Sequence, residues 1–275
     1  MVAPDAPIGV FDSGIGGLTV VHEIIRQLPR ESVVYFGDTA RVPYGPKSPD
    51  TVRRYSLEIA HFLRDQGVKT IVVACNTATA HALVALREAM DVPVIGVVEP
   101  GARAAVAASR RAVGDTRGRH IGVIGTSGTI RSGAYERAIR AIDDNSKITV
   151  RACPLFVPFV EEGWTDRAAA VLVAREYLQP FIEAQVDTLV LGCTHYPLLK
   201  TLIRETLGPR VRLIDSAEET AAETARALQA AGIESHSAAG PIYRFISSDD
   251  PQQFLQLGQQ FLGDTIERVE VHTLG

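Results

Sequence analysis

Short apolar runs punctuate the chain at Ile8–Phe11, Val33–Phe36, Thr70–Ala74, Val94–Val98, Ile121–Ile124, Thr188–Leu191 and Val211–Ile214. Each is four or five residues long, rich in Val and Ile, and does not alternate with polar positions. Strands covered on both faces of a parallel sheet read this way. Longer stretches with helical spacing lie between them, among them Thr51–Gln66, Thr79–Met90, Ala168–Ala184 and Ala217–Ala231. Alternating short strands and helices predict βα units and a mainly parallel sheet, the α/β class. Beyond Val211 the pattern predicts helices over Ala217–Ala231 and Pro251–Leu262, a short YRFI run and a terminal VEVHTL strand.

The chain echoes itself. IGVFDSG at Ile8–Gly14 resembles IGVIGTSG at Ile121–Gly128, and VKTIVVACNT at Val68–Thr77 resembles VDTLVLGCTH at Val186–His195. The first three positions of the first pair are offset by 113 residues and the cysteines of the second pair by 118. Two pairs in one order at nearly one offset point to a duplicated domain. The segment beyond Val211 is expected to complete one of the halves. The expected division is residues 1–98 plus 212–275 for one domain and 99–211 for the other. In open α/β sheets ligands bind beyond the carboxyl ends of the strands. Two such halves facing each other would bring Cys75 and Cys193 to one cleft.

Composition narrows the function classes. With 46% hydrophobic and 22% charged residues among 275, the chain can bury a sizeable core, and its length suits about two domains. The net charge of −4 gives no basic excess for nucleic acid or an anionic membrane. Three cysteines without a C-x-x-C make neither a disulfide framework nor a zinc finger, which favours a reducing compartment. The start lacks the basic and apolar regions of a signal peptide. No apolar run reaches the roughly 20 residues of a membrane span. A cytoplasmic protein is expected.

Cys75 and Cys193 each stand where a buried strand meets a loop and a predicted helix start. Free N–H groups and a positive dipole end at such a place favour a thiolate. Asn76, Thr77, Thr194 and His195 add donors beside the sulfurs. The bland alternative is that each cysteine is a small buried hydrophobe, and Cys153, in RACPLF, fits it better. The DSGIGG loop at Asp12–Gly17 allows close backbone approach to a carboxylate or phosphate. It is not G-x-G-x-x-G, and no phosphate-loop motif is present, so a nucleotide is not indicated. Asp12 suits either a helix N-cap or the orientation of a thiol. Asp38, in YFGDTARVPYG, suits a turn as well as a site, and Pro43, Tyr44 and Gly45 suit a loop over a cleft. GTSGT at Gly125–Thr129 offers uncharged donors for a substrate carboxylate. His195 could be half of a metal site, but zinc needs three or four ligands and no second cluster appears; an acid–base partner is the better fit. Glu161 is a candidate carboxylate, although its spacing equally suits a solvated helix. Glu99 and Asp215 follow apolar strands without an assigned role.

Two thiols facing one cleft suggest a symmetric reaction. One thiolate removes a proton from one face of an sp³ carbon and the opposed thiol returns one to the other, which inverts the centre. No lysine lies in a pyridoxal-phosphate setting, so donors around the substrate would have to stabilise the carbanion.

Taken together, FDSGIGGLTV, YFGDTARVPYG, VACNTAT, IGVIGTSGTI, CPLFVPFVE and LVLGCTHYPLL resemble the glutamate racemase family, in order from about Ile8 to Ser216. The resemblance implies two pseudo-twofold-related α/β domains, each a mainly parallel sheet flanked by helices, with the active site between them. It implies cofactor-independent interconversion of L- and D-glutamate, supplying D-glutamate to peptidoglycan. Carried over by motif, Cys75 would act on D-glutamate and Cys193 on L-glutamate, Asp12 would assist the first thiol, and His195 and Glu161 the second. Ser13, Pro43, Tyr44, Gly45, Asn76, Thr77 and Thr194 match substrate-binding positions, with Asp12 and His195 counted among them; Thr126 and Thr129 match more weakly. Seven residues before IGVFDSG resemble the short type of family member, for which activation by a peptidoglycan precursor is not expected. A homodimer stays open as the assembly. Aspartate racemase, which shares the two-cysteine logic, and a non-catalytic amino-acid-binding module are the alternatives; a nucleotide-dependent oxidoreductase lacks its fingerprint.

Overall fold

A computed structural model describes residues 3–109 and 119–274. The chain divides into two compact units, Met1–Val97 with Ala217–Gly275, and Val98–Ser216.

The first unit holds a six-stranded parallel sheet. Its strands are β1 (Ile8–Asp12), β2 (Val33–Gly37), β3 (Thr70–Val73), β4 (Val94–Gly96), β9 (Tyr243–Ser247) and β10 (Glu270–Val271), in the order β10-β9-β2-β1-β3-β4. β1 to β4 are buried throughout, as the unbroken apolar runs require. Successive side chains alternate between two cores. Ile8, Val10, Val33 and Tyr35 face helices α1 (Leu18–Gln27), α10 (Ser216–Ala231) and α11 (Pro251–Leu262). Phe11, Val34, Phe36 and Val73 face α2 (Pro49–Asp65) and α3 (Asn76–Ala89). Local signals start these helices where the chemistry dictates. Ser48 caps α2 with its hydroxyl accepting from the Thr51 N–H at 3.3 Å, and Pro49 opens the first turn. Asp250 caps α11 by accepting from the N–H groups of Gln252 and Gln253.

The second unit holds four parallel strands, β5 (His120–Gly125), β6 (Lys147–Ala152), β7 (Thr188–Gly192) and β8 (Arg212–Asp215), in the order β6-β5-β7-β8. One face packs on α7 (Phe156–Glu161), α8 (Ala168–Glu183) and α9 (Lys200–Leu207). The other packs on α4 (Val98–Ala108) and α6 (Ala134–Ile142).

The duplication is visible in the topology. Both halves order their first four strands second, first, third, fourth. Even the register repeats: Ile8 lies opposite Thr70 in the first sheet, and Ile121 opposite Thr188 in the second. Each half therefore places a cysteine just beyond its third strand, beside its first. The first sheet gains β9 and β10 from the C-terminal segment.

Several boundaries differ from the sequence pattern. The run Val94–Val98 ends as a strand at Gly96, and Val98 opens α4. The strand near residue 212 pairs with β7, so the chain returns to the first unit at Ala217 rather than at 212. β6 escapes the pattern because KITVRA is an edge strand, partly exposed, with Lys147 and Arg151 breaking the apolar run. The terminal VEVHTL stretch supplies only the two paired residues of β10.

Candidate active site

The first half-site collects beyond the carboxyl ends of β1, β2 and β3. Cys75 is the N-cap of α3, its sulfur accepting from the Ala78 N–H at 3.4 Å. α3 starts three residues earlier than the Thr79 of the sequence pattern, so Asn76 and Thr77 form its first turn, both buried. Cys75 is 5% exposed, and its thiol lies 3.7 Å from the Ser13 hydroxyl. Asp12 is fully buried, and its carboxylate accepts from the Gly14 N–H at 3.0 Å. It does not cap α1, whose N-cap is Gly17 without a side-chain bond. The glycines of this loop answer to close packing. A Cβ on Gly17 would lie 2.5 Å from the Asp12 Cβ and 2.8 Å from the Tyr35 hydroxyl. Tyr35 in turn donates to the Gly14 carbonyl at 2.7 Å. Burial, the Asp12 charge and the Cys75 charge together push the Tyr35 phenol far up, so it stays a neutral donor.

Asp38 proves to be more than a turn residue. It is fully buried and binds Arg41, the Tyr44 hydroxyl and, at 3.0 Å, the Ser248 hydroxyl. Tyr44 and Gly45 are buried, while Pro43 is exposed. Val42 lies beside Gly14, which sets this loop against the glycine loop.

The second half-site follows β7. Gly192 is confined there, since a Cβ would meet the Ile124 carbonyl at 2.6 Å. Cys193, 6% exposed, is not at a helix start: after it come a turn and the 3-10 segment Tyr196–Leu199, and α9 begins only at Lys200. The dipole expected from sequence is therefore absent at this thiol, and a histidine–carboxylate pair stands in its place. The His195 Nδ1 lies 3.8 Å from the Cys193 sulfur and 3.5 Å from the Thr194 hydroxyl, and Nε2 lies 3.1 Å from Glu161 Oε1. Burial alone would depress the His195 pKa; hydrogen bonding and charge from Cys193 and Glu161 outweigh it and raise it to about 10. The shift favours the protonated imidazole, which lies between a sulfur and a carboxylate. Tyr196 anchors this arrangement. Its hydroxyl donates to the Cys153 carbonyl at 2.8 Å and its ring stands edge-on to Phe156, which ties the turn after Cys193 to α7, the helix that ends at Glu161.

The remaining candidates fall into place around these two centres. Thr126 caps the short helix α5 (Ser127–Arg131), accepting from the Thr129 N–H at 3.2 Å, and the two hydroxyls are 3.1 Å apart. Cys153 is buried and its thiol is pushed far up by burial, the behaviour of a packing residue. Asp215 pairs with Lys200 at 2.5 Å. Glu99 lies in the first turn of α4. No group of three or more His, Cys, Asp or Glu among the described residues is placed to hold a metal ion, and no helix among them is long and apolar enough to cross a membrane. Sequence reasoning missed Tyr35, Tyr196 and the Arg41–Ser248 surroundings of Asp38. The available signal was a polar-tipped ring inside a buried strand or turn, which must find a partner for its hydroxyl.

The profile of the Asp/Glu/Hydantoin racemase family matches residues 8–224. The chain belongs to this family. A glutamate racemase from Geobacter metallireducens is 55% identical over 260 residues, covering 94% of each chain. Among solved structures, the glutamate racemase isoform RacE1 from Bacillus anthracis aligns with a TM-score of 0.90 at 44% identity, covering 98% of this chain and 97% of that one. The glutamate racemase from Francisella tularensis, solved in complex with D-glutamate, gives a TM-score of 0.90 at 38% identity over 98% of both chains. Likeness over whole chains of this racemase family makes the shared fold and the two repeated sheets one observation.

Proposed function

We propose that this chain is a cofactor-independent racemase of glutamate in which Cys75 and Cys193 are the two acid/base groups. The observation that carries the reading is the repeated register, which sets one thiol beyond the third strand of each sheet. Inversion at Cα needs two proton-transfer groups, one for each face. One thiolate takes the Cα proton, leaving a carbanion, and the other thiol delivers its own proton to the opposite face. Each turnover thus exchanges the protonation states of the two sulfurs, and the reverse direction starts from the state the forward direction leaves.

The half-sites support this division in different ways. Cys75 has the N-terminus of α3 and Asp12 nearby; Cys193 has the His195 cation backed by Glu161. By motif, Cys193 acts on L-glutamate and Cys75 on D-glutamate. Ser13, Pro43, Tyr44, Gly45, Asn76, Thr77 and Thr194 hold the substrate, with Thr126 and Thr129 in a lesser role. N–H and hydroxyl groups of this set would stabilise charge on the carbanion. The relative solved with D-glutamate supports glutamate as substrate. The product would enter peptidoglycan synthesis in the cytoplasm, where thiols remain reduced. A homodimer is the assembly to test, by sedimentation.

The test is to incubate the purified protein with L-glutamate, L-aspartate or L-alanine in D₂O after exhaustive chelation and without added cofactor. L-glutamate should lose optical rotation and gain deuterium at Cα, and L-aspartate should react far more slowly. Faster reaction of aspartate would overturn the substrate, and activity restored only by zinc or pyridoxal phosphate would overturn the mechanism.

A further inference from the structure

The loop carrying Pro43, Tyr44 and Gly45 lacks regular structure between the 3-10 segment Thr39–Arg41 and α2. Something other than backbone ladders must fix it. Arg41 reaches Asp38 and two side chains of α2. Its Nε lies 2.8 Å from an oxygen of the fully buried Asp38, which also takes the Tyr44 hydroxyl. Its Nη1 bonds Glu58 on α2. Its guanidinium carbon sits 4.0 Å above the centre of the Tyr55 ring, also on α2, and the Tyr55 and Tyr44 rings are 5.8 Å apart. From the other side Ser248, in the C-terminal segment, donates to Asp38 and accepts from the Ala40 N–H at 2.9 Å. The Arg41 side chain is 15% exposed.

We propose that Arg41 is a positioning residue for substrate binding, holding Tyr44 and Gly45 in place by joining Asp38 to α2. This rests on the reading that Tyr44 and Gly45 contact glutamate. A planar guanidinium can bond one carboxylate edge-on, reach a second, and stack on a ring at once; an ammonium offers one point charge. Arg41 touches no reacting atom in this scheme, so its loss should loosen binding more than it slows chemistry.

The experiment compares steady-state kinetics of the parent, Arg41→Ala, Arg41→Lys and Glu58→Gln with both isomers, alongside thermal melts and assays with added guanidinium chloride below denaturing concentrations. Arg41→Ala should raise KM by roughly tenfold or more, the scale of a lost charge-assisted contact, with kcat changed much less. Arg41→Lys should not restore KM, and free guanidinium should lower the KM of Arg41→Ala while leaving the parent unaffected. Glu58→Gln, which keeps the shape of the side chain, should move KM the same way by less. If Arg41→Ala is not recovered folded, the KM of Glu58→Gln decides alone. Unchanged KM in the folded variants, or a loss of kcat that tracks lowered melting temperature without rescue, would overturn the positioning role. A parent that does not racemise glutamate would instead overturn the substrate reading.

Discussion

At the scale of single residues, the three cysteines are chemically distinct although all are buried. The Cys153 thiol faces the Arg151 carbonyl and packs in a core cluster with Phe156 and Tyr196, and burial holds it protonated. Cys153→Ala should leave glutamate turnover within a few-fold of the parent, at a stability loss of about 1 kcal/mol read from urea unfolding. His195 carries an electrostatic signature of its own. Its ordinary pKa is 6.5 and it is raised to about 10. A raised pKa means that the folded state holds the proton more tightly, so this contribution to stability is complete below pH 6.5 and is lost as pH climbs toward 10. The difference in urea midpoint between the parent and His195→Asn should therefore be largest near neutral or lower pH and shrink toward pH 10. A difference that stays constant with pH would show that the imidazole is neutral in the folded protein.

At the scale of elements, the first half-site is built by packing around strand ends. Gly17 is in ordinary right-handed backbone, so its smallness is needed for space alone. Gly17→Ala would press on Asp12 and Tyr35 together, with an expected cost of about 1–3 kcal/mol from overpacking and a marked loss of activity. Gly67 gives the contrast: its φ is +75° and a methyl group added there would meet no other atom within 4 Å. Gly67→Ala should therefore cost about 1–2 kcal/mol through backbone strain and leave kcat intact. Denaturant unfolding paired with kinetics separates the two. This scale also shows the limits of sequence reading. The buried strands are legible because unbroken Val/Ile runs mean two covered faces. β6 is not, because an edge strand carries charges that erase that pattern. A helix start is expected from sequence at both thiols. The structure has one at Cys75 and none at Cys193, where Pro197 at the start of a 3-10 segment delays α9 by several residues.

At the scale of the whole molecule, the duplication is legible from two echoed strand pairs, and the strand order of each sheet repeats it. That the two copies surround their thiols differently is legible by motif, Asp12 beside the first and His195 with Glu161 beside the second; how distant partners are brought together is not. Glu161 is 34 residues before His195, and the anchoring of Tyr196 against the Cys153 carbonyl and Phe156 helps bring the turn and α7 together. Likewise Ser248 reaches Asp38 across 210 positions, a closure made by β9 pairing with β2. Long-range partners of this kind leave no local periodicity. The two sheets thus share a topology and differ in what surrounds the cysteine beyond the third strand of each.

The most direct test measures each cysteine variant against each isomer of a glutamate analogue bearing a leaving group at Cβ. Elimination needs proton abstraction but no return of a proton to the opposite face, so one competent base suffices. A serine hydroxyl is a poor base at neutral pH, and losing general-base catalysis costs about 10²–10⁴-fold. Racemisation of glutamate should fall by that order in both Cys75→Ser and Cys193→Ser. Elimination should split: Cys75→Ser should retain turnover of the L-isomer and lose that of the D-isomer, and Cys193→Ser should do the reverse. Equal loss of both isomers in both variants would contradict the assignment of one thiol to each face.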